Sequence, residues 1–376
     1  MTAGPARAPA SPGDGAGPPP PRWRFDLPEL SGALGDLGTF VPLAASLIAV
    51  CGMDAGSVLV FAGAAHVATG LVFRQPIPVQ PMKAIAAVAI AEGLAPGEIA
   101  AAGFATGAAV LVLGLSGLVG VVERRVPRPV VRGIQLGVGM SLAMRGLDMV
   151  LPLGWWAPDG RVLALGAAAL IVATRGRRFP AALVVVAAGA LMVALSEPDL
   201  LRGTPTPWAG PAWVLPDAAA WSRGLVGGAL PQIPLTLLNS VIAVSALSED
   251  LFPGRGVRPR AMALSVGIMN TATCLLGAMP ACHGSGGLAG QYRFGARTGG
   301  SVLVLGVTKM GLGLALGPAV GALLLAFPHA LLGVLLVFAG LELALAGLRR
   351  VGRDGAFLAL ATAVGIAAAN TAVGFL

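Results

Sequence analysis

Charge is what this sequence has least of. Only 11% of its 376 residues are Asp, Glu, Lys or Arg, against about 25% in soluble domains. That shortfall excludes a soluble protein with a large core. With 56% hydrophobic residues and a mean hydropathy of +0.83, the chain reads as an all-α polytopic membrane protein. Cysteine is scarce too. Cys51, Cys274 and Cys282 show neither metal-ligand spacing nor a disulfide framework, and Cys282 reads as a small buried apolar residue. No cluster of His, Asp and Glu is present at depth, which speaks against a membrane-embedded enzyme and against a bound cofactor. No ring of repeated charges marks a channel. The net charge of +8 does not signal nucleic acid, because the arginines sit in short loops and no basic face with interleaved aromatics exists. The charges Arg7, Arg22 and Arg24 precede no apolar h-region. Residues 1–27 therefore read as a disordered cytoplasmic tail, not a signal peptide.

What is there is organised around Pro76-Ile77-Pro78-Val79-Gln80-Pro81-Met82-Lys83. Three prolines in six residues prevent a continuous helix and push their predecessors toward extended backbone. The Ala-rich run from Met82 to Ile90 then predicts a half-helix, with Pro81 suited to its first position. Extended backbone at membrane depth survives only where protein buries it or it lines a cavity. The free N–H groups of such a half-helix, its partial positive charge and Lys83 together make a site for an anion. A second break, from Gly277 to Gly290, answers the first, and Ser285 is a candidate cap for a second half-helix. Paired broken helices point to a transporter binding site. Within this break Gly284-Ser285-Gly286-Gly287-Leu288-Ala289 matches the dinucleotide pattern G-x-G-x-x-A. No β-α-β unit or following acid accompanies it, and no Walker lysine is present.

Hydropathy places spans near 30–50, 55–73, 99–121, 130–150, 161–173, 179–196, 224–248 and 261–277. Broken segments occupy 74–91 and 278–293, and further spans begin near Ser301 and Pro328. Residues 353–376 hold one span or two short ones. The polar connection 197–222, carrying Trp208 and Trp213, reads as an extracytoplasmic linker between a first repeat over 28–196 and a second over 223–376. With the N-terminus cytoplasmic, eighteen of the 25 Lys and Arg residues fall inside, while Arg145, Arg161, Arg202 and Arg223 fall in outer loops. This orientation makes the two halves inverted relative to each other. Heavy Ala, Gly and Arg usage suggests a bacterial inner (plasma) membrane.

The blocks GALGDLGTFVP (32–42), PIPVQPMKAIAAVAIAEGL (76–94), PQIPLTLLNSVIAVSALSEDLFP (231–253) and GAMPACHGSGGLAGQYRFGART (277–298) resemble the signature blocks of the molybdate transporter family, related to the sulfate permeases. The resemblance implies the fold shared with uracil and xanthine permeases. That fold is a 7+7 inverted repeat with discontinuous segments 3 and 10, divided into core and gate subdomains, with the substrate between the two half-helices. The chain stops at Leu376, so the C-terminal regulatory domain of the sulfate permeases is not expected. The implied activity is secondary transport of molybdate by alternating access, with sulfate transport as the alternative. Molybdate is thus the expected partner, with tungstate and sulfate as possible ligands; a homodimer stays open.

Molybdate is a tetrahedral dianion that needs donors converging from several directions. A lysine at membrane depth costs about 2.5–3.5 kcal/mol, so Lys83 is expected to line the path. Gln80 is a candidate cap or donor. His283, Gly284, Ser285, Gly286 and Gly287 form the second break, where glycine allows close backbone approach. Thr39, Gln232 and Asn239 are polar groups on otherwise apolar spans, suited to ligand contact or interhelical hydrogen bonding. Asp36 would repel a dianion and is expected to pair with Lys83, cap backbone or carry a coupling proton. His66 and Glu342 read as lone polar residues facing a neighbouring helix, and Lys309 as snorkelling from the inner end of its span.

Overall fold

The computed structural model describes residues 23–175, 179–202, 206–211, 213–348 and 353–368. The proposed tail up to residue 22, Arg177, Arg178, Arg349, Arg350 and residues 369–376 lie outside them. The first helix, α1 (Leu27–Cys51), starts at Asp26, whose carboxylate accepts the Glu29 N–H at 3.1 Å. It narrows to a 3-10 turn at Leu34–Asp36. Helix α2 (Ala55–Phe73) starts on Asp54, which accepts the Ser57 N–H at 2.7 Å. The proline-rich stretch follows as extended chain, with a two-residue strand β1 (Gln80–Pro81) leading into the half-helix α3 (Lys83–Glu92).

Helix α4 (Pro96–Ser116) ends earlier than hydropathy predicts. Gly117, at φ 76°, stops it, and Leu118–Arg125 forms a separate amphipathic helix, α5. Its Val119 is buried while Leu118 and Val121 are exposed. The apolar content of 118–121 therefore coats a lateral helix and does not lengthen the span. Helices α6 (Arg128–Val150), α7 (Arg161–Ala173) and α8 (Ala181–Ser196) complete the first half.

The second half opens with α9 (Ala218–Leu251). Pro231 and Pro234 remove two backbone donors from it, and the turns widen to π-geometry over Gly224–Ala229 and Thr236–Ala243. Then come α10 (Pro259–Thr273), strand β2 (Ala281–Cys282), the second half-helix α11 (Ser285–Arg293), α12 (Gly300–Leu316), α13 (Ala319–Leu325), α14 (His329–Leu348) and α15 (Arg353–Ala368). Within the linker, Trp208 is half-buried and not simply at the water boundary. Its indole donates to Asp54 and Ser57, both at 3.1 Å, and pins the linker to the start of α2. Trp213 is exposed.

The strands pair antiparallel, Gln80 opposite Cys282 and Pro81 opposite Ala281, and the Met82 N–H adds a bond to Pro280 O at 2.8 Å. Around this ladder the helices pack in pairs: α2 with α12, α4 with α10, and α6 with α14. Small residues permit the close approach. A Cβ on Gly139 would lie 2.7 Å from Gly340 O, and one on Gly146 would lie 2.5 Å from Gly333 O. One large apolar cluster runs through the ladder region, and a second, smaller one joins α7, α8 and α14.

Candidate functional site

The ladder sets α3 and α11 running away from each other, so that their N-termini face one space. Two side chains on flanking helices hold the extended segments. On α2, His66 bonds to Ala62 O through Nδ1 at 2.8 Å and accepts the Val79 N–H on Nε2 at 3.2 Å. On α10, Asn270 donates to Val266 O at 2.7 Å and to Ala281 O at 2.6 Å, and accepts the Ala281 N–H at 2.8 Å. Each grips its own helix one turn back and the extended segment that follows that helix in the chain. His66 is thus a bracket, and its network places the ring proton on Nδ1. Asn270, on a span that looked merely apolar, does the same work in the second half.

The two half-helix ends differ. The start of α3 is capped from α9: Gln232 Oε1 accepts the N–H groups of Ala84 at 2.8 Å and Ile85 at 3.3 Å, while its Nε2 donates to Thr236 at 2.8 Å. Gln80 is therefore not the cap. Instead its amide donates to Asp36 Oδ1. Among the described residues, no side chain accepts a hydrogen bond from the first N–H groups of α11. Ser285 is its first residue and not its cap, and the Ser285 hydroxyl donates to Asn239 Oδ1 at 2.6 Å. The first N–H groups of α11 therefore have no hydrogen-bond partner among the described residues.

Glycine makes the room. A Cβ on Gly284 would fall 1.7 Å from Gln80 Oε1, and one on Gly287 would fall 2.4 Å from Gln80 Nε2 and 2.6 Å from Asp36 Oδ1. Gln80 and Asp36 thus fill the notch at the N-terminus of α11. A Cβ on Gly286 would meet Leu142 of α6 at 2.2 Å.

Lys83 is half-buried in the first turn of α3, and among the described residues its ammonium has no hydrogen-bond or ion-pair partner. Asp36 and Arg145 are the charged groups within electrostatic reach of it. Arg145, expected in an outer loop, is an exposed residue of α6 one turn beyond Leu142. It brings a second cation to the site, and helical register with Leu142 was the signal that could have found it. Thr39 is buried beside Asp36 on α1. His283 has both ring nitrogens engaged, Nδ1 with Pro78 O at 2.8 Å and Nε2 with Ser265 Oγ at 2.9 Å, and its ring meets Phe73 edge-on. It braces the two breaks against each other and has no free polar atom for an anion.

Lys309 does not snorkel. It is 4% exposed in the middle of α12, and its ammonium sits 3.1 Å from the centre of the Phe40 ring. Its charge reaches Asp36.

A cavity of about 1030 Å³ is lined among others by Arg124, Arg128, Arg132, Ile242, Glu249 and Arg258, and by none of the predicted site residues. On α9 its lining begins at Ile242, within a turn of Asn239. Arg132 of α6 forks onto Asp250 of α9 across this cavity and also donates to Gln135 at 3.0 Å.

The sequence profile of a family described as "Molybdate transporter of MFS superfamily" matches residues 28–142 and 224–343. Molybdate transporter 2 of Arabidopsis thaliana is 39% identical over 92% of this chain and 84% of its own length. Molybdate transporter 1 of Chlamydomonas reinhardtii is 36% identical over 93% of this chain and 89% of its own. Among solved structures, the transmembrane domain of the cyanobacterium bicarbonate transporter BicA shares the fold. Its TM-score is 0.59 at 17% identity, covering 92% of this chain and 96% of that one. SLC26A9 gives a TM-score of 0.58 at 14% identity, over 93% of this chain and 63% of that one. With both breaks and both polar brackets inside the matched regions, this chain belongs to the molybdate transporter family, a family of integral membrane transporters and not of enzymes.

Proposed function

We propose that this protein is a secondary transporter of molybdate. The observation that carries the reading is the uncapped N-terminus of α11, tied by the β1–β2 ladder to α3, whose first turn carries Lys83, an ammonium without a partner among the described residues. Open N–H groups at a helix start bind oxyanions, and Lys83 adds a full charge. The Asn239 amide, held by Ser285, and Thr39 complete a set of donors of the kind a tetrahedral anion requires. Gln232 holds α3 in place and does not touch the anion in this arrangement.

The chain is built as two inverted repeats, and transport proceeds by alternating access. The antiparallel pairing of β1 with β2 and the matched brackets His66 and Asn270 support this reading. The arginines of the cavity rim come from regions expected on the cytoplasmic side, so the arrangement described is the inward-facing one. The ladder, α3 and α11 belong to the moving core, while α6 and α14 belong to the gate.

The test is binding to purified protein, titrating molybdate, tungstate, sulfate and uracil in one buffer. Molybdate and tungstate should bind tightly and sulfate weakly. A preference for sulfate would keep the site and overturn the substrate, and binding of uracil alone would overturn the anion site.

A further inference from the structure

Three buried polar atoms near the anion site have no partner among the described residues: Asp36 Oδ2, Gln80 Oε1 and Lys309 Nζ. They belong to one neighbourhood. Gln80 is bonded to Asp36. Phe40, one turn after Asp36 on α1, carries the Lys309 ammonium on its ring face, a contact that holds a desolvated cation without neutralising it. Asp36 itself fills the notch at the N-terminus of α11, where a Cβ on Gly287 would touch it. The positive end of α11 therefore already faces an anion, the Asp36 carboxylate.

A dianion brought to the same helix end meets that carboxylate at short range in a low-dielectric space, where like charges repel strongly. Moving Asp36 away is not available, because Gln80 and the glycine notch fix it. Neutralising it is, because Oδ2 is unpartnered. We propose that Asp36 binds a proton at Oδ2 when the anion enters, so that the carrier takes up a proton together with the dianion, and that Lys309 is the standing counter-charge of Asp36 in the empty carrier. This rests on the anion site proposed above. The proton comes from water and forms an O–H bond at Oδ2, and it leaves the same way when the anion departs. With the proton on Asp36, the charge of Lys309, like that of Lys83, is offset by the dianion.

The other titratable groups around Asp36 are accounted for. Lys83 on α3 and Cys282 on β2 are within electrostatic reach of Asp36. His66 on α2 faces Lys309 and has both nitrogens engaged. Glu342 on α14 is beside Arg293 of α11, His329 at the start of α14 pairs with Asp159, and Glu29 on α1 caps the 297–301 turn. Helices α8 and α13 bring no titratable side chain.

The experiment uses the full chain in proteoliposomes with an entrapped pH dye, and in detergent for molybdate binding between pH 5.5 and 8. Wild type should bind molybdate more tightly as pH falls, by up to about tenfold per unit for one linked proton, and molybdate entry should acidify the lumen. Asp36→Asn should show a flat binding profile and carry molybdate without acidification. Lys309→Met should shift the wild-type profile toward higher pH, since Asp36 then lacks its counter-charge. A flat profile in wild type, no acidification in wild type despite molybdate flux, or a steep profile retained in Asp36→Asn would each overturn the proposal. The two wild-type measurements decide the matter even where a variant fails to fold. If wild type neither binds nor moves molybdate, the anion reading fails instead.

Discussion

At the scale of single residues, the site divides into groups that hold backbone and groups left open. Lys83 is the open cation. Lys83→Ala should weaken molybdate binding by about 10- to 100-fold, the value of a charge-assisted contact of roughly 1.5–3 kcal/mol, without loss of the folded protein; calorimetric titration checks it. Arg145→Ala should weaken binding less, because the side chain is exposed and its field is screened by water. His283→Gln is expected to lower thermal stability and leave affinity for the remaining folded protein close to wild type, since both ring nitrogens serve Pro78 and Ser265. The sequence marked most of these positions but not their partners. Gln80 and Gln232 are both glutamines beside a proline, and nothing in either neighbourhood says which amide reaches a helix end. The choice is made by α9, which brings Gln232 to Ala84 from far along the chain. Lys309 misled because an apolar run with one lysine looks the same whether the ammonium climbs to the interface or settles on a ring. Only the position of Phe40 distinguishes them.

At the scale of elements, the breaks were legible and their supports were not. Prolines at 76, 78 and 81 and the glycines from 284 to 287 forbid continuous helices by local chemistry alone. The wide turns of α9 needed the whole packing, although Pro231 and Pro234 gave the local cause. Because Gln232 satisfies two N–H groups of α3, Gln232→Ala should destabilise the protein by about 1 kcal/mol, the usual value of a lost cap, read as a lower unfolding temperature in detergent. The glycine notch is less forgiving. Gly284→Ala puts a methyl group where Gln80 Oε1 lies, so transport should be lost, either through a displaced Gln80–Asp36 pair or through misfolding. Size-exclusion profiles separate the two. The early end of α4 was also local in origin, set by Gly117 in a left-handed turn, but hydropathy alone carries the span through it.

At the scale of the whole molecule, the spans follow from hydropathy, while the way they pair depends on backbone contacts such as Gly139 with Gly340 that no local pattern shows. The cavity joining α6 and α9 is likewise a product of assembly. Cys51, Cys274 and Cys282 are buried, so Ala246→Cys on the cavity wall offers a clean reporter. It should react with an impermeant thiol reagent added from the N-terminal side and be protected by saturating molybdate. The two-rung ladder has a further consequence for the traffic the protein carries. Because β1 and β2 tie the two half-helices together, the berth proposed between them would have a fixed width and hold no queue. Cargo must travel singly, so competing oxyanions should inhibit one another by simple exclusion, and mixtures should never move faster than the better substrate alone.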